Sequence, residues 1–275
     1  MELRFWGVRG SIPSPGRHTV AAGGNTTCVS VRHGDLILVF DAGTGIRLLG
    51  NYLEGEDERS RWKGSIFFSH YHWDHIQGLP FFRPAFREEN RFHLYGERKG
   101  GLDVERVLRH QMQAPFFPIP LDAQDALVTF NPLAPGSVLE PRGGVVVRTV
   151  RLQHPGGAIG YRLESPRGSI CIITDHEHSP DDLDREVVTF ARGAAILIHD
   201  AQYTPEEKRG PKAGWGHSSW EEAARTARAA AVGRLYLSHH DPDRSDRELS
   251  DILVQARDVF PETELAVEGV SVAFG

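Results

Sequence analysis

The chain has 275 residues, of which 40% are hydrophobic, and it carries a formal net charge of −6. This acidic balance argues against a broad electrostatic grip on DNA or long RNA, although it leaves room for a local basic patch. No apolar run approaches the roughly 18 residues of a membrane span, and the first four residues do not open a signal peptide, so no membrane association is expected.

The length suits one large α/β domain or two small ones, and we predict a single domain over residues 1–275. The two cysteines, Cys28 and Cys171, lie in strand-like runs. We predict that they are reduced core thiols of a cytoplasmic protein, with a disulfide as the alternative.

The chain begins with strands separated by glycine-rich turns. Residues 2–6 alternate polar and apolar side chains, which predicts a strand, and a loop with glycine and proline follows at 7–13. A turn then leads into a second strand at 27–33. A hairpin joins this strand to a buried one at 36–40, which ends at Asp41.

Residues 69–78 concentrate potential metal ligands directly after an apolar run that predicts a buried strand at 65–69. The ligands in this segment are His70, His72, Asp74 and His75. Imidazole and carboxylate side chains are costly to bury unless they are paired, and a divalent cation satisfies all of them together. This mixture of ligands suits zinc, manganese or iron(II).

The spacing within this motif favours two cations over one. His70 and His72 point to the same side of an extended segment, so they can bind one ion. Asp74 and His75 follow where the chain turns toward a helix-like stretch at 76–79. Adjacent residues diverge in direction, so two ions side by side are the simpler interpretation. A histidine-rich surface loop without a metal is the alternative.

The spacing His70-x-His72-x-Asp74-His75 resembles the signature of the metallo-β-lactamase-fold hydrolases. The resemblance implies an α/β fold, a four-layer αββα sandwich in which helices flank two mixed sheets. A pattern of strands, a ligand turn and a helix occurs once in each half of the chain, which fits this architecture. The resemblance also implies that Asp41 supports the metal site, and capping of a helix at 46–52 is the alternative.

The resemblance implies a complete ligand set. The ligands are His70, His72 and His154 for the first site, Asp74, His75 and His239 for the second, and Asp175 as a bridge between them. The later ligands follow strands predicted at 145–153, 169–174 and 234–237. His240, next to His239, is the fallback for the second site. The sequence assigns no role to three polar residues after the bridging aspartate, His176, Glu177 and His178.

Two later segments resemble motifs of the tRNA 3′-processing endonuclease branch, the RNase Z group. Residues 199–202 take the place of its His-Glu-Ala-Thr motif, and residues 216–219 take the place of its Gly-His-Ser-Thr motif. In that branch an acidic residue and a histidine cooperate in protonating the leaving oxygen, which implies Asp200 and His217 here. Asp74 is included with them as a catalytic residue. The alternative is that His217 only begins a helix and Asp200 is a loop carboxylate.

The remaining segments predict the elements around this site. Further strands and helices are predicted at 91–95, 102–111, 160–165, 194–198, 246–259 and 264–274. The capping-box spacing of Ser219 and Glu222 predicts a helix through about residue 231. The aromatic, proline-rich segment 114–120 is either a lip over the site or a connector packed on the core.

The resemblance implies a dinuclear phosphodiesterase in which a hydroxide held between two divalent cations attacks phosphorus. The expected cations are Zn²⁺ or Mn²⁺, and Fe²⁺ is also compatible. No cysteine lies at an implied ligand position, which speaks against the thiolate-containing lactamase pattern. RNase Z enzymes grip tRNA with a long arm, but here only 20 residues separate His154 from Asp175. We therefore predict a small phosphodiester substrate, a cyclic nucleotide, and no long nucleic acid partner.

Three other functions stay open at this stage. These are a lactone or thioester hydrolase, a tRNA 3′-processing nuclease, and a non-catalytic, metal-dependent nucleotide sensor. One fold carries many chemistries, so the resemblance does not choose among them. A homodimer is also left open.

Overall fold

A computed structural model describes residues 1–56, 61–124, 126–142, 144–179 and 182–274. The elements of the first half are the strands β1 (Glu2–Gly7), β2 (Cys28–His33), β3 (Leu36–Phe40), β4 (Lys63–Phe67), β5 (Arg91–Glu97) and β6 (Leu127–Leu133), and the helices α1 (Ile46–Glu56), α2 (Trp73–Ile76) and α3 (Val104–Gln111). Short 3-10 helices lie at Leu79–Phe81, Arg83–Phe86 and Leu121–Ala123.

The second half adds eight strands and four helices among the described residues. The strands are β7 (Val138–Arg142), β8 (Val145–Leu152), β9 (Ala158–Ser165), β10 (Gly168–Ile173), β11 (Ile196–Asp200), β12 (Arg234–Ser238), β13 (Thr263–Leu265) and β14 (Ser271–Ala273). The helices are α4 (Arg185–Ala191), α5 (Pro205–Arg209), α6 (Trp220–Ala229) and α7 (Asp246–Val259).

The described strands form two seven-stranded sheets, and each sheet is mixed. The first has the order β14-β1-β2-β3-β4-β5-β6, with antiparallel pairs up to β3 and parallel pairs from β3 to β6. The second has the order β13-β12-β11-β10-β9-β8-β7, with parallel pairs from β13 to β10 and antiparallel pairs beyond. The predicted pair of mixed sheets flanked by helices is confirmed.

The two sheets face each other across an aromatic core. Phe5 of the first sheet lies 5.2 Å from Tyr236 of the second, and Phe40 lies 5.4 Å from Tyr161, measured between ring centroids. Burial of one such side chain contributes roughly 1.5–3 kcal/mol to folding. Two further apolar clusters lie under the helices, one with α1 and α3 on the first sheet and one with α4, α6 and α7 on the second. Three apolar layers therefore separate four structural layers.

Two strands that the sequence analysis missed contain proline. β6 includes Pro132 and β7 includes Pro141, and a proline normally argues against a strand because it cannot donate a backbone hydrogen bond. Among the described strands both lie at the edge of their sheet, where one row of their backbone groups has no partner strand. Edge positions tolerate proline, which explains why the local pattern concealed them.

The helices α6 and α7 begin at the predicted residues, and α3 begins two residues later than predicted. α7 spans the predicted residues, and α6 begins after Ser219, whose hydroxyl accepts from the backbone N–H of Glu222 in a capping box. The helix predicted from residue 102 begins at Val104, because Asp103 is its N-cap. α4 and α5 were not predicted.

Cys28 and Cys171 are free and buried, as predicted for core thiols. In the part of the chain that the structure describes, no helix has the length and apolar character needed to cross a membrane. The single domain and the cytoplasmic location stay predictions.

Candidate active site

The strand directions bring the predicted site residues to one edge of the sandwich. β8, β10, β11 and β12 run in the same direction, because β8 and β10 are both antiparallel to β9. The carboxyl ends of these strands therefore share one edge of the second sheet. The side chains at or just after these ends are His154, Asp175, Asp200 and His239. Their meeting follows from topology, since they are far apart in the sequence.

The first cluster gathers His70, His72, His154 and Asp175, whose ligand atoms all lie within 4.8 Å of one another. His70 Nε2 and His154 Nε2 are each 3.5 Å from Asp175 Oδ2. His154 Nε2 is 3.1 Å from His72 Nδ1. The structure thus places together the three histidines that were predicted for the first metal site.

The second cluster gathers Asp74, His75, His239 and the same Asp175. His75 Nε2 and His239 Nε2 lie 3.3 and 3.1 Å from Asp175 Oδ1. They also lie 3.2 and 3.3 Å from Asp74 Oδ2. Asp175 therefore presents one oxygen to each cluster, which is the arrangement that a bridging carboxylate requires.

His240 lies outside both clusters. Its Nε2 is 2.9 Å from the carbonyl oxygen of Ala266, in the interior. Between the two adjacent histidines, the structure brings His239 and not His240 to the predicted second site.

The buried polar atoms of these clusters test whether divalent cations fit. His70 Nε2, His75 Nε2, His239 Nε2 and Asp175 Oδ1 are buried and have no aligned hydrogen-bond partner among the described residues. Leaving such atoms unpaired costs free energy, and all four point into the same small volume. Imidazole nitrogens with carboxylate oxygens are ligands for zinc and manganese. The donor set therefore fits two divalent cations, one per cluster.

Burial and the neighbouring carboxylates set the protonation of the cluster histidines. Burial and the neighbouring His75 hold the pKa of His70 well below its usual value, so its ring is neutral and its lone pair is free. Burial opposes the charged form of His239, but Asp175 and Asp74 outweigh it and raise the pKa of His239 to about 9. The carboxylates thus attract either protons or cations. Cation binding at this site must release protons, and it should weaken as the pH falls.

Two histidines of the second cluster are oriented by a partner on their outer side. Asp41 Oδ2 lies 2.9 Å from His75 Nδ1, while its other oxygen accepts from the backbone N–H of Ser69 at 2.8 Å. Gln202 Oε1 lies 3.0 Å from His239 Nδ1. Such partners fix the ring and the tautomer of a metal-binding histidine. The contacts of Asp41 favour the predicted supporting role over a helix cap, and the role of Gln202 was missed.

The N-terminal loop at residues 7–13 forms one wall of the site. The backbone N–H of Ser11 donates to Asp74 Oδ2 at 2.8 Å. A Cβ on Gly10 would approach the ring of His239 to 2.4 Å, so only glycine fits there. The fully buried Arg9 fixes this loop by donating from Nε to the carbonyl of Gly23, at 2.8 Å, and from Nη1 to that of Asp241, at 3.0 Å. The sequence pattern predicts the loop but not its contact with the site.

Asp200 and His217 are in direct contact beside the two clusters. His217 Nδ1 lies 2.9 Å from Asp200 Oδ2, and the His217 ring lies 5.0 Å from that of His239 and 5.2 Å from that of His154. Asp200 is fully buried, and its charged form is favoured because the attraction of His217 outweighs the cost of burial, which lowers the pKa of Asp200. The geometry is the one that a proton-donating pair needs, and the catalytic role stays a prediction.

A cavity of about 460 Å³ opens over the clusters. It is lined by Ser11, Tyr71, His72, Trp73, Asp74, Asp175 and His217. The indole of Trp73 is 80% exposed, so a large apolar face is offered at the mouth. The aromatic segment 114–120, a candidate lip, does not line this cavity, although Phe116 is exposed elsewhere on the surface.

The three unassigned residues after Asp175 divide into two groups. His176 and His178 are buried, and His176 Nε2 lies 3.1 Å from His178 Nδ1, in the layer beneath the site. Glu177 turns the other way and binds the loop that precedes His217. Glu177 therefore contacts the machinery around the clusters through its side chain, whereas His176 does so through its backbone N–H, which donates to Asp200 Oδ2 at 3.2 Å.

Known proteins resemble this chain over its full length. Ribonuclease BN of Cronobacter sakazakii is 26% identical, and the match covers 99% of both chains. Ribonuclease Z of Thermoplasma acidophilum is 26% identical, with 96% of this chain and 93% of the relative covered. Among solved structures, the metallo-β-lactamase fold protein YhfI from Bacillus subtilis has a TM-score of 0.73 at 18% identity, covering 100% of this chain and 99% of that chain. A diphosphatase from the PhnP family has a TM-score of 0.71 at 20% identity, covering 100% and 98%.

These similarities agree with the site and with the fold. They confirm the predicted metallo-β-lactamase fold, the RNase Z-like branch and the prediction of a metal-dependent hydrolase. Residues 36–240 match the family described as the beta-lactamase superfamily domain. With most of its length matched and the two histidine–aspartate clusters in place, the chain belongs to this family.

Proposed function

We propose that this chain is a dinuclear metal-dependent phosphodiesterase that hydrolyses a small phosphodiester, with a cyclic nucleotide as the substrate. The observation that carries the proposal is the contact between Asp200 and His217 at 2.9 Å, next to two clusters that share Asp175. The names of the relatives, ribonuclease BN and ribonuclease Z, support phosphodiester chemistry.

The residues that would hold two cations, Zn²⁺ or Mn²⁺, are those of the two clusters described above. When bound, such cations lower the pKa of water and polarise phosphoryl oxygens. His70, His72 and His154 would hold one, Asp74, His75 and His239 the other, and Asp175 both.

His217 supplies the proton for the leaving oxygen, which the cations do not provide. With Nδ1–H donated to Asp200, the ring turns Nε2 toward the cavity that His217 lines. An alkoxide is a poor leaving group, so the P–O bond breaks more readily when a proton is delivered to that oxygen. The proton passes from His217 Nε2 to the leaving oxygen as its bond to phosphorus breaks, while the attacking water forms the new P–O bond and releases a proton to solvent, from which His217 is reprotonated. Asp200 stabilises the charged ring before the transfer.

Three observations favour a small substrate over structured RNA. The interval between His154 and Asp175 is filled by β9 and β10, which are joined by a tight turn, so no arm extends from it. The alignment with the Cronobacter relative extends over 329 positions, more than the 275 residues here, so that relative carries segments this chain lacks. The cavity of about 460 Å³ is in the range of small-ligand sites, roughly 300–1,000 Å³.

A substrate panel tests the proposal. Metal-depleted protein is assayed with 3′,5′- and 2′,3′-cyclic nucleotides, bis(p-nitrophenyl) phosphate and a lactone, before and after addition of Mn²⁺ or Zn²⁺. We expect hydrolysis of a cyclic nucleotide and of the aryl diester only with metal restored. Turnover of the lactone alone would contradict the proposal. Tight RNA binding that weakens steeply with salt would instead favour the tRNA-processing alternative.

Trp73 is the residue that we expect to bind a nucleobase. Its indole is 80% exposed at the mouth of the cavity, and stacking of a base on an aromatic ring contributes about 1–3 kcal/mol. W73A should therefore raise KM for a cyclic nucleotide about 10-fold, because about 1.4 kcal/mol corresponds to a factor of ten. The KM for bis(p-nitrophenyl) phosphate, which has no base, should change less.

Phe116 provides the matched control for Trp73. It is also exposed, at 76%, but it does not line the cavity. F116A should leave both KM values near those of the unaltered protein. Equal effects of the two variants would show that Trp73 does not bind the base. The identity of the metal, the cytoplasmic location and a homodimer stay predictions.

A further inference from the structure

The short loop before His217, residues 214–216, is held by a single carboxylate, and we call this segment the glycine loop. Glu177 Oε1 accepts from the backbone N–H of Gly214 at 2.8 Å, and Glu177 Oε2 accepts from that of Gly216 at 2.7 Å. Both oxygens of the side chain are used, one for each N–H. We infer that Glu177 is a positioning residue that orients His154 and His217 through the glycine loop.

The glycine loop contacts a candidate metal ligand directly. The carbonyl oxygen of Gly216 accepts from His154 Nδ1 at 2.8 Å, which leaves His154 Nε2 turned toward Asp175. Gly216 has a φ of +91°, and a Cβ there would lie 2.3 Å from His154 Nδ1. The peptide of Gly216 therefore packs directly against the imidazole of His154. A movement of the loop must turn or displace the His154 ring.

The same loop sets the position of His217, the next residue in the chain. The side chain of His217 contacts Asp200. The position of its backbone is set by its neighbours in the chain, Gly216 and Ser218. Ser218 is fixed, since its hydroxyl donates to the carbonyl of His176. Glu177 fixes the other side. The two anchors together define where the His217 ring can enter the cavity.

Glu177 is itself anchored to the end of the strand that carries His154. Its backbone N–H donates to the carbonyl of Gln153 at 2.8 Å. Lys208, which is 5% exposed, places Nζ 3.2 Å from Glu177 Oε1 and 3.0 Å from the carbonyl of His178. The carboxylate is thus held from two sides before it binds the loop. These contacts connect Gln153 through Glu177 and Gly216 to His154, which is the next residue after Gln153 in the chain.

A competing explanation is that Glu177 only neutralises the buried Lys208. Glu222 offers a second carboxylate to the same ammonium group, at 3.7 Å from Nζ, and makes no contact with the glycine loop. Glutamine can replace glutamate in a capping box, so E222Q removes this charge while the cap of α6 is kept. E222Q is therefore the matched control for E177Q. Both lose one negative charge near Lys208, and only one loses an acceptor for the loop.

The first experiment measures zinc binding and loop exposure in the full-length protein. Metal-depleted protein is titrated with Zn²⁺ in competition with a chromogenic chelator, and amide hydrogen exchange is followed over residues 212–217. Residues that support a metal ligand change metal affinity by about 10- to 100-fold when mutated, so E177Q should weaken zinc binding by that factor. Exchange in the loop should accelerate. E222Q should stay within about twofold of the unaltered protein in both measurements.

A pair of glycine variants tests the same contact without touching Glu177. G214A and G216A both place alanine at a positive φ, +81° and +91°, and so carry a similar backbone strain. Open space surrounds a Cβ at Gly214, whereas one at Gly216 meets the His154 ring. G216A should therefore lose more than tenfold in zinc affinity, and G214A should lose much less. If E177Q fails to fold, this pair still tests the step from the glycine loop to the His154 ring, and equal affinities would overturn the inference.

The inference rests on the proposed function for the roles of His154 and His217, but neither readout requires a substrate. Weaker zinc binding and faster loop exchange in E177Q, without turnover of any phosphodiester in the panel, would overturn the proposed function and leave the positioning role intact. Unchanged zinc binding and loop exchange in E177Q, or equal zinc affinities in G214A and G216A, would overturn the inference. With a turned-over substrate, E177Q should lower kcat and leave KM unchanged.

Discussion

Replacement of Asp175 by asparagine is expected to weaken zinc or manganese binding by roughly 100-fold or more, beyond the about 10- to 100-fold of residues that only support a ligand. The side chain presents Oδ1 to His75 and His239 and Oδ2 to His70 and His154. Asparagine keeps the size of this group, but it loses the negative charge and turns one oxygen into an N–H₂ donor. One of the two clusters would then face a donor that cannot bind a cation.

Metal content by elemental analysis after dialysis, together with a zinc titration, checks this expectation. D241N is a suitable control, because Asp241 is also buried but lies outside both clusters. We expect two equivalents of metal in the unaltered protein and in D241N, and fewer than one in D175N. Retention of two metal equivalents by D175N would contradict the bridging role of Asp175. Activity toward any phosphodiester should fall with the metal content.

The second large effect concerns His217 and depends on the leaving group. H217A should lower kcat for a cyclic nucleotide between about 100- and 10,000-fold, which is the contribution of a positioned general acid. For bis(p-nitrophenyl) phosphate the loss should be below about tenfold, because p-nitrophenolate departs without a proton. Zinc affinity should change little, since His217 belongs to neither of the two clusters that share Asp175.

The comparison of the two substrates is the internal control for H217A. Equal losses for both would mean that His217 binds or orients substrate and does not donate the proton. D200N supplies a further check, because Asp200 acts through His217 at 2.9 Å. The double variant should lose little more than H217A alone, since residues that act as a unit are not additive. A lactone hydrolase would show no effect of H217A.

How much the sequence could predict depended on whether a contact was local. The four potential ligands between residues 70 and 75 lie on one short segment, so their spacing predicted the cluster before any fold was known. Buried runs such as 36–40 and capping patterns such as Ser219 with Glu222 predicted a strand and a helix equally well. In each case the physical cause acts within a few residues, through side-chain direction or a backbone hydrogen bond.

Contacts between distant segments could not be predicted in the same way. Gln202 on His239 and Ser11 on Asp74 each join segments that meet only when the sheets are assembled. Trp73, and not the aromatic segment 114–120, lines the cavity, because exposure at the mouth depends on how α2 is placed. The prolines of β6 and β7 hid two strands, since only sheet order shows that they lie at edges.

By itself the sequence determined the ligand motif, the family and the chemical class of the site, because imidazole and carboxylate groups at that spacing have few other uses. The tertiary structure alone decided which of His239 and His240 faces the site, and it gave Glu177 a partner in the glycine loop. The reason is directional. Parallel strands bring their carboxyl ends to one edge, but the side that each following turn faces is set by packing across the whole sandwich.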